Sequence, residues 1–351
     1  MRSSLFSIFL IAFTFLTFVG GAASAQTESA PPVKGMALGL FSKEKYDYGK
    51  DLLELKKAGV NSILLNVSWY QRDIRSLTME PRAPRGENEF TVPDVELARV
   101  IRQARQLGMS VLLFPYLRFD HRAPKEWRGV LEPKDFPTWA KNYERFILHY
   151  AQLAQTTGVE YLSVGSELGS LEGQAEFWKD LIRKVRKQYG GKLLYSANWD
   201  HYSHPAFWED LDYLGVTAYH KLSNAKNPSL EEVTKKWVEV RERLLAFSKK
   251  FGKKILITEV GYPSLDGAVK APWNYLASTE VDLQEQELGY QAFIQAWSNV
   301  PGLQGVYWWV WYGEGGPADN SYTPRGKPAL ARLAEWYGRK IPLAANGKTG
   351  K

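Results

Sequence analysis

The sequence predicts an α/β fold, a single (β/α)8 TIM barrel, on three observations. Eight short apolar runs alternate with amphipathic helical segments. No glycine-rich phosphate fingerprint follows the first run, which disfavours an open doubly wound sheet. Glycines close helix after helix just ahead of the next run, at Gly59, Gly108, Gly158, Gly190 and Gly252.

The N-terminus stands apart from that pattern. Arg2 and the Phe-rich apolar stretch Leu5 to Val19 precede small residues at Ala23-Ser24-Ala25, the order of a secretory signal peptide cleaved before Gln26. The stretch is short for a membrane span, and no other segment approaches bilayer length. Residues 1–25 are therefore read as signal, 26–34 as a polar leader, 35–340 as the barrel and 341–351 as a polar tail. The mature protein is expected to be secreted or periplasmic, monomeric and free of the membrane.

The candidate strands are Gly35–Phe41, Ser62–Trp69, Ser110–Leu117, Val159–Ser166, Lys192–Ala197, Leu211–Ala218, Lys254–Glu259 and Gly305–Trp311. Helical periodicity fills Val92–Leu107, Trp139–Gln155, Phe177–Gln188, Leu230–Lys250 and Gln284–Ser298. Longer irregular stretches follow the second, third, seventh and eighth strands, at Gln71–Phe90, Arg118–Pro137, Pro263–Asp282 and Tyr312–Pro328. In a barrel of this kind such insertions build the active face at the C-terminal strand ends.

Composition narrows the chemistry. The chain has no cysteine, which excludes disulfides, a lipoprotein anchor and thiolate-bound metal. The net charge of +7 lies largely in runs such as Arg183-Lys184-Val185-Arg186-Lys187, which read as solvated helix faces and do not indicate nucleic acid. Thirteen Trp and nineteen Tyr exceed the ordinary needs of a core, and several close strand-like runs. Flat aromatic rings stack on the apolar faces of sugars; core packing accounts for about half of them.

Two carboxylates carry the functional signal. Glu167 ends the run Val159 to Glu167, and Glu259 lies in Lys254 to Tyr262. A carboxylate against a buried strand is costly unless it is paired or used. At the ends of the fourth and seventh barrel strands both face one mouth. A retaining glycoside hydrolase needs such a pair, roughly 5–5.5 Å apart. Glu167 is assigned as acid/base and Glu259 as nucleophile.

Neighbouring motifs strengthen this reading. Ser163-Val164-Gly165-Ser166-Glu167-Leu168, Tyr195-Ser196-Ala197-Asn198-Trp199-Asp200 and Asp212 to Tyr219 occur in order. Ile257 to Ser264, Val306-Tyr307-Trp308-Trp309-Val310-Trp311 and the stretch Gly315 to Pro328 follow. Together they resemble glycoside hydrolase family 113, of the large clan of retaining (β/α)8 hydrolases, over nearly the whole mature chain. The resemblance implies endo-acting β-1,4-mannanase activity with retention, and carries acid/base and nucleophile onto Glu167 and Glu259. Two departures bear on substrate. Ser166 stands where many clan members have Asn, and the third strand ends in Phe114-Pro115-Tyr116-Leu117-Arg118, not a Lys-Pro-His type run.

Other strand-end residues are candidate sugar contacts. Tyr219 is placed to donate to Glu259 and hold it ionised. Asn198 and Trp199 can bind hydroxyls and stack on a ring, and His220 can line the cleft. Trp309 and Trp311 alternate, so they are expected to share one face while Trp308 and Val310 take the other. Trp69, Tyr116, Arg118, Ser166 and Tyr262 complete the set near the mouth. Asp200, His201 and His204 lack metal-ligand spacing, so neither metal nor cofactor is expected. No serine lies in a nucleophile elbow, which disfavours an esterase. The alternatives are hydrolysis of a bacterial exopolysaccharide or cell-wall amino-sugar glycan, transglycosylation, and a non-catalytic carbohydrate-binding barrel.

Overall fold

The computed structural model describes residues 32–40, 46–84 and 90–341. The expected signal peptide, the expected leader up to residue 31 and the tail from residue 342 lie outside the described residues. Eight strands close a parallel barrel: β1 (Val33–Leu38), β2 (Ser62–Gln71), β3 (Ser110–Phe119), β4 (Tyr161–Ser166), β5 (Lys192–Ala197), β6 (Tyr213–Thr217), β7 (Ile255–Val260) and β8 (Leu303–Trp311). Each pairs with the next in parallel, and β1 pairs with both β2 and β8, which closes the circle. The two residues Met79–Glu80 add a short antiparallel ribbon to the end of β2. The predicted single (β/α)8 barrel is the observed fold. Its first strand starts at Val33, so Val33 and Lys34 belong to the barrel and not to the leader.

Among the described residues seven α-helices surround the strands: α1 (Tyr48–Lys57), α2 (Asp94–Gln106), α3 (Phe136–Thr157), α4 (Ala175–Gln188), α5 (Leu230–Phe251), α6 (Leu283–Trp297) and α7 (Pro328–Trp336). Local chemistry sets their ends. Ser229 accepts from the Glu232 amide to cap α5, and Asp282 does the same for the Glu285 amide at α6. Gly158 and Gly252 close α3 and α5 in the left-handed conformation. Gly190 does not act this way: α4 ends on Tyr189 in extended backbone, with its ring buried. No α-helix links β5 to β6. A single turn, Trp208–Asp210, fills the slot with the buried rings of Phe207 and Trp208.

Strand alternation divides the core. Val33, Ala37, Leu64, Leu112, Phe114, Leu194, Leu256 and Tyr307 form the cluster inside the barrel. Gly35 makes room for Tyr307, whose ring lies 2.3 Å from where a Cβ would sit. Hydroxyls complete the interior. Ser62 contacts Tyr307 at 2.7 Å and Ser110 at 2.8 Å, and Ser196 meets Thr258 at 2.5 Å. A larger cluster joins the outward strand faces to the helices. Seven of the thirteen tryptophans (Trp139, Trp178, Trp208, Trp237, Trp297, Trp308 and Trp311) are almost wholly buried, so about half of them serve the core. No helix among the described residues is long and apolar enough to cross a membrane.

Candidate active site

Glu167 owes its position to an irregular strand end. Strand β4 slips register against β5 between Ser163 and Ser166. Gly165 falls in the slip, where a Cβ would lie 2.8 Å from the Tyr143 hydroxyl and 2.9 Å from the Tyr195 ring. Glu167 follows in the left-handed region, at φ 53°. Its amide donates to the Ser196 carbonyl at 2.8 Å. The Leu168 amide donates to the Tyr195 hydroxyl at 2.8 Å, and that hydroxyl donates to buried Glu172 at 2.8 Å. One carboxylate oxygen of Glu167 accepts from the Thr217 hydroxyl at 2.8 Å, and the other is ion-paired with Arg128.

Glu259 lies one residue before the end of β7, beside a slip against β6 between Val216 and Thr217. Its carbonyl accepts from the Ala218 amide at 2.7 Å. Its carboxyl accepts from the Tyr219 hydroxyl at 3.0 Å. Glu167 and Glu259 are both buried, each 7% exposed. Burial first, and then the charge of Glu167, push the Glu259 carboxyl up to about 8; Arg128 and Tyr219 pull the other way. Burial and a neighbouring like charge thus favour the protonated form of Glu259.

Both carboxylates open into one cleft of about 570 Å³, a size suited to a small ligand or a few sugar units. Asn198, Trp199 and Tyr219 line it at the strand ends, and Trp309 lines it from β8. The insertions add Arg122, Trp127 and Arg128 from one side and Trp273, Tyr275 and Tyr322 from the other. Trp199 and Trp273 stack with ring centroids 6.1 Å apart and planes 16° apart. Trp309 also borders a second depression of about 180 Å³, where Tyr116 and Arg118 lie with Asn66 and Ser68.

Five expected contacts are corrected. Trp69 faces outward, because Ile63, Leu65, Val67 and Trp69 share the parity that packs on the helices; its ring lies 5.1 Å from Phe146. Trp311 does not share a face with Trp309. Between the pairs Met36–Trp308 and Leu38–Trp311 one β1 residue, Ala37, opposes two of β8, Trp309 and Val310, which reverses parity. Trp311 thus points outward and donates to Asp51 at 3.1 Å. Tyr262 is buried over Gly289, with its hydroxyl accepting from the Trp237 indole at 2.8 Å. His220 sits behind Trp199 in a separate hollow with Arg243; burial lowers it to about 3, so it is a neutral imidazole. Ser166 is 1% exposed, and the β4 slip leaves its hydroxyl buried without a partner.

Sequence reasoning missed Arg128, Thr217, Trp127, Trp273 and Tyr322. The four outside β6 sit in insertions, where no periodicity marks a residue; the position of the insertions after β3, β7 and β8 was the available signal. Asp200 and His201 pair with each other at 2.7 Å, and His204 contacts the His201 carbonyl. Asp266, Asp282 and Glu285 come close enough to share a cation. However, Glu285 accepts from the Gly267 and Val269 amides, and Asp282 caps α6. These contacts explain the cluster as loop and cap structure.

Comparison with known proteins gives a consistent result. The model of Glycoside Hydrolase Family 113 matches residues 38–327. A solved GH113 β-1,4-mannanase complex is 24% identical, with 88% of this chain and 99% of that chain covered at a TM-score of 0.77. The GH113 β-mannanase from Alicyclobacillus acidocaldarius, solved in complex with ManMIm, is 25% identical over 88% and 97% of the two chains, at a TM-score of 0.76. A family GH5_18 protein from Streptomyces cattleya, solved with Manb1-4GlcNAc, shares the fold alone, at 15% identity, 89% and 82% coverage and a TM-score of 0.56. No curated protein gives a significant sequence match.

Proposed function

The chain belongs to glycoside hydrolase family 113, and from that premise we propose an exported, retaining hydrolase of a β-linked polysaccharide of the β-1,4-mannan type. One observation carries the reading: two buried glutamates face a single aromatic cleft, one paired with Arg128 and the other with Tyr219. Glu259 attacks the anomeric carbon as the bond to the departing oxygen breaks, and Glu167 gives that oxygen its proton. Glu167, now a carboxylate, takes a proton from water. The water oxygen attacks the same carbon, releases Glu259 and yields a sugar of retained configuration.

The supporting groups suit each step. Tyr219 donates to the carboxylate that must act as nucleophile, which favours its charged form. Trp309 offers an apolar surface beside the carboxylates, and the stacked Trp199 and Trp273 offer a second in the same cleft. The mannan assignment rests on the two solved relatives named as β-mannanases. Arg122 in the cleft and Arg118 in the adjoining depression favour one alternative, a glycan that carries acidic groups. The N-terminal charge, apolar stretch and small-residue site support export.

The test is incubation of the mature protein and Glu259→Gln with mannan, glucomannan, xylan, β-glucan, chitosan and peptidoglycan, with products read by mass and their anomers by NMR. Cleavage of mannan by the parent alone, with the β-anomer formed first, is the expected result. Cleavage of another polymer would replace the substrate and keep the mechanism. Binding without turnover, equal in both proteins, would replace the enzyme with a binding barrel. Secretion is checked by N-terminal sequencing of exported protein, which should begin at Gln26.

A further inference from the structure

The ion pair between Arg128 and Glu167 is the wrong partner for an acid. A guanidinium on a carboxylate favours its ionised form, whereas Glu167 must carry a proton when the glycosidic oxygen departs. The geometry therefore arranges the charges the other way round. Arg128 pairs with Glu167 as with an anion, while burial and that charge favour the protonated form of Glu259, the group that must attack as an anion.

Arg128 is also mounted on a different kind of element from the glutamates. It opens a single 3-10 turn, Arg128–Val130, in the insertion after β3, and not a barrel strand. That turn rests on the barrel, with Ser170 donating to the Leu131 carbonyl at 2.8 Å. The guanidinium lies over the Tyr116 ring, 5.5 Å from its centroid. Its Nε is buried and has no hydrogen-bond partner, so one donor is uncommitted.

We propose that Arg128 is a positioning residue that responds to cleft occupancy: it holds Glu167 as a carboxylate in the empty cleft and is drawn off by sugar oxygens entering on its side. Resting on the hydrolase reading above, this assigns the step that readies the site. As the guanidinium leaves, the one shared proton passes from Glu259 to Glu167, and the negative charge passes to Glu259. No proton is gained or lost. Arg128 stays in the cleft, where its charge already favours ionised Glu259, and the Tyr219 hydroxyl receives the new anion. Water in an unoccupied cleft thus meets a protonated nucleophile.

Other ionisable groups around Glu167 are accounted for. Tyr116 on β3, Tyr219 after β6 and Tyr322 after β8 are raised by burial and stay neutral. Arg118 acts through Tyr116, and Arg122 and Asp200 stand at the cleft wall. Glu172 lies behind Tyr195, raised by burial. Substituting Arg128 leaves all of these in place.

The test follows kcat/KM against pH on whichever polysaccharide the parent cleaves, for the parent, Arg128→Met and Arg128→Lys. In kcat/KM the alkaline limb reports loss of the shared proton in the free enzyme. Removing a positive charge disfavours the doubly ionised pair, so Arg128→Met should move that limb up by about 1 unit or more. Arg128→Lys, which keeps the charge, should leave the limb near the parent's. A lower rate with the limb unmoved in Arg128→Met would assign a structural role and overturn the proposal; if that variant does not fold, a limb displaced upward in Arg128→Lys as far as 1 unit overturns it equally. Labelling with a 2-deoxy-2-fluoro-β-mannosyl fluoride, whose leaving group needs no proton, separates the two levels. Modification of Glu259 with an unmoved limb would remove only the role of Arg128. No labelling and no turnover in the parent would remove the hydrolase reading, and this proposal with it.

Discussion

Replacing Glu259 by Gln should stabilise the protein, and by an amount that depends on pH in a calculable way. Burial and the neighbouring charge of Glu167 raise the carboxyl from 4.5 to about 8. Between those values the unfolded chain has released the proton that the native protein keeps. Folding stability from this group therefore falls as pH rises, by about 1.4 kcal/mol per unit. The loss begins near pH 4.5, reaches about 3 kcal/mol at pH 7 and levels off near 5 kcal/mol above pH 8. Gln has no such titration, keeps the shape and still accepts from Tyr219. Glu259→Gln should match the parent near pH 4.5 and exceed it progressively at higher pH. At about 2 °C per kcal/mol for a barrel of this size, the difference in Tm should approach 10 °C at pH 8.5. Calorimetry or urea unfolding from pH 5 to 9 reads this directly. A Tm difference that is constant across that range would refute the idea that ionising position 259 is costly in the folded protein.

Further outcomes follow from contacts elsewhere. Tyr219→Phe removes the 3.0 Å hydrogen bond to Glu259 and should lower kcat by about 10- to 100-fold, the worth of a bond to a charged group, with an unchanged circular dichroism spectrum. Gly165→Ala would bring a Cβ to 2.8 Å from the Tyr143 hydroxyl and should lose about 1–3 kcal/mol in urea unfolding, with activity falling as Glu167 shifts. Lys327 is fully buried and contacts Asp319, Ser264 and the Ser321 carbonyl at 2.8, 2.8 and 3.0 Å. Lys327→Met leaves those acceptors unmatched and should cost about 3 kcal/mol, again read by denaturant unfolding.

The barrel could be read from the sequence because each strand is a short β-type run and most helices end on a visible signal, such as Gly158 or Gly252. What escaped was parity. Trp69 and Trp311 end strands as plainly as Trp309 does, yet they face the helices. In β2 nothing in the alternation says which face is inside, since Leu64 and Leu65 are equally apolar. In β8 the irregular pairing with β1 reverses the faces between Trp309 and Trp311, and such a slip has no composition. Tyr262 was misjudged for a similar reason: its polar end is satisfied by the Trp237 indole, a partner twenty-five residues away. Arg128 was invisible because its value comes from where a loop lands.

The left-handed backbone at Glu167 has a consequence for how this activity can be lost. At φ 53° a residue with a Cβ is strained by about 1 kcal/mol relative to glycine. Together with the cost of ionising Glu259, this means that the reaction is maintained against the preferences of the fold. A lineage released from the need to cut its substrate would find Glu259→Gln among its stabilising changes, and at position 167 glycine would cost the backbone least once the carboxylate is lost. Decay into a sturdier, inert barrel is then the downhill direction, and the aromatic cleft would outlast the chemistry. The signature is measurable in the present chain: Glu167→Gly should unfold at a higher temperature than Glu167→Ala, although both lack the same carboxylate.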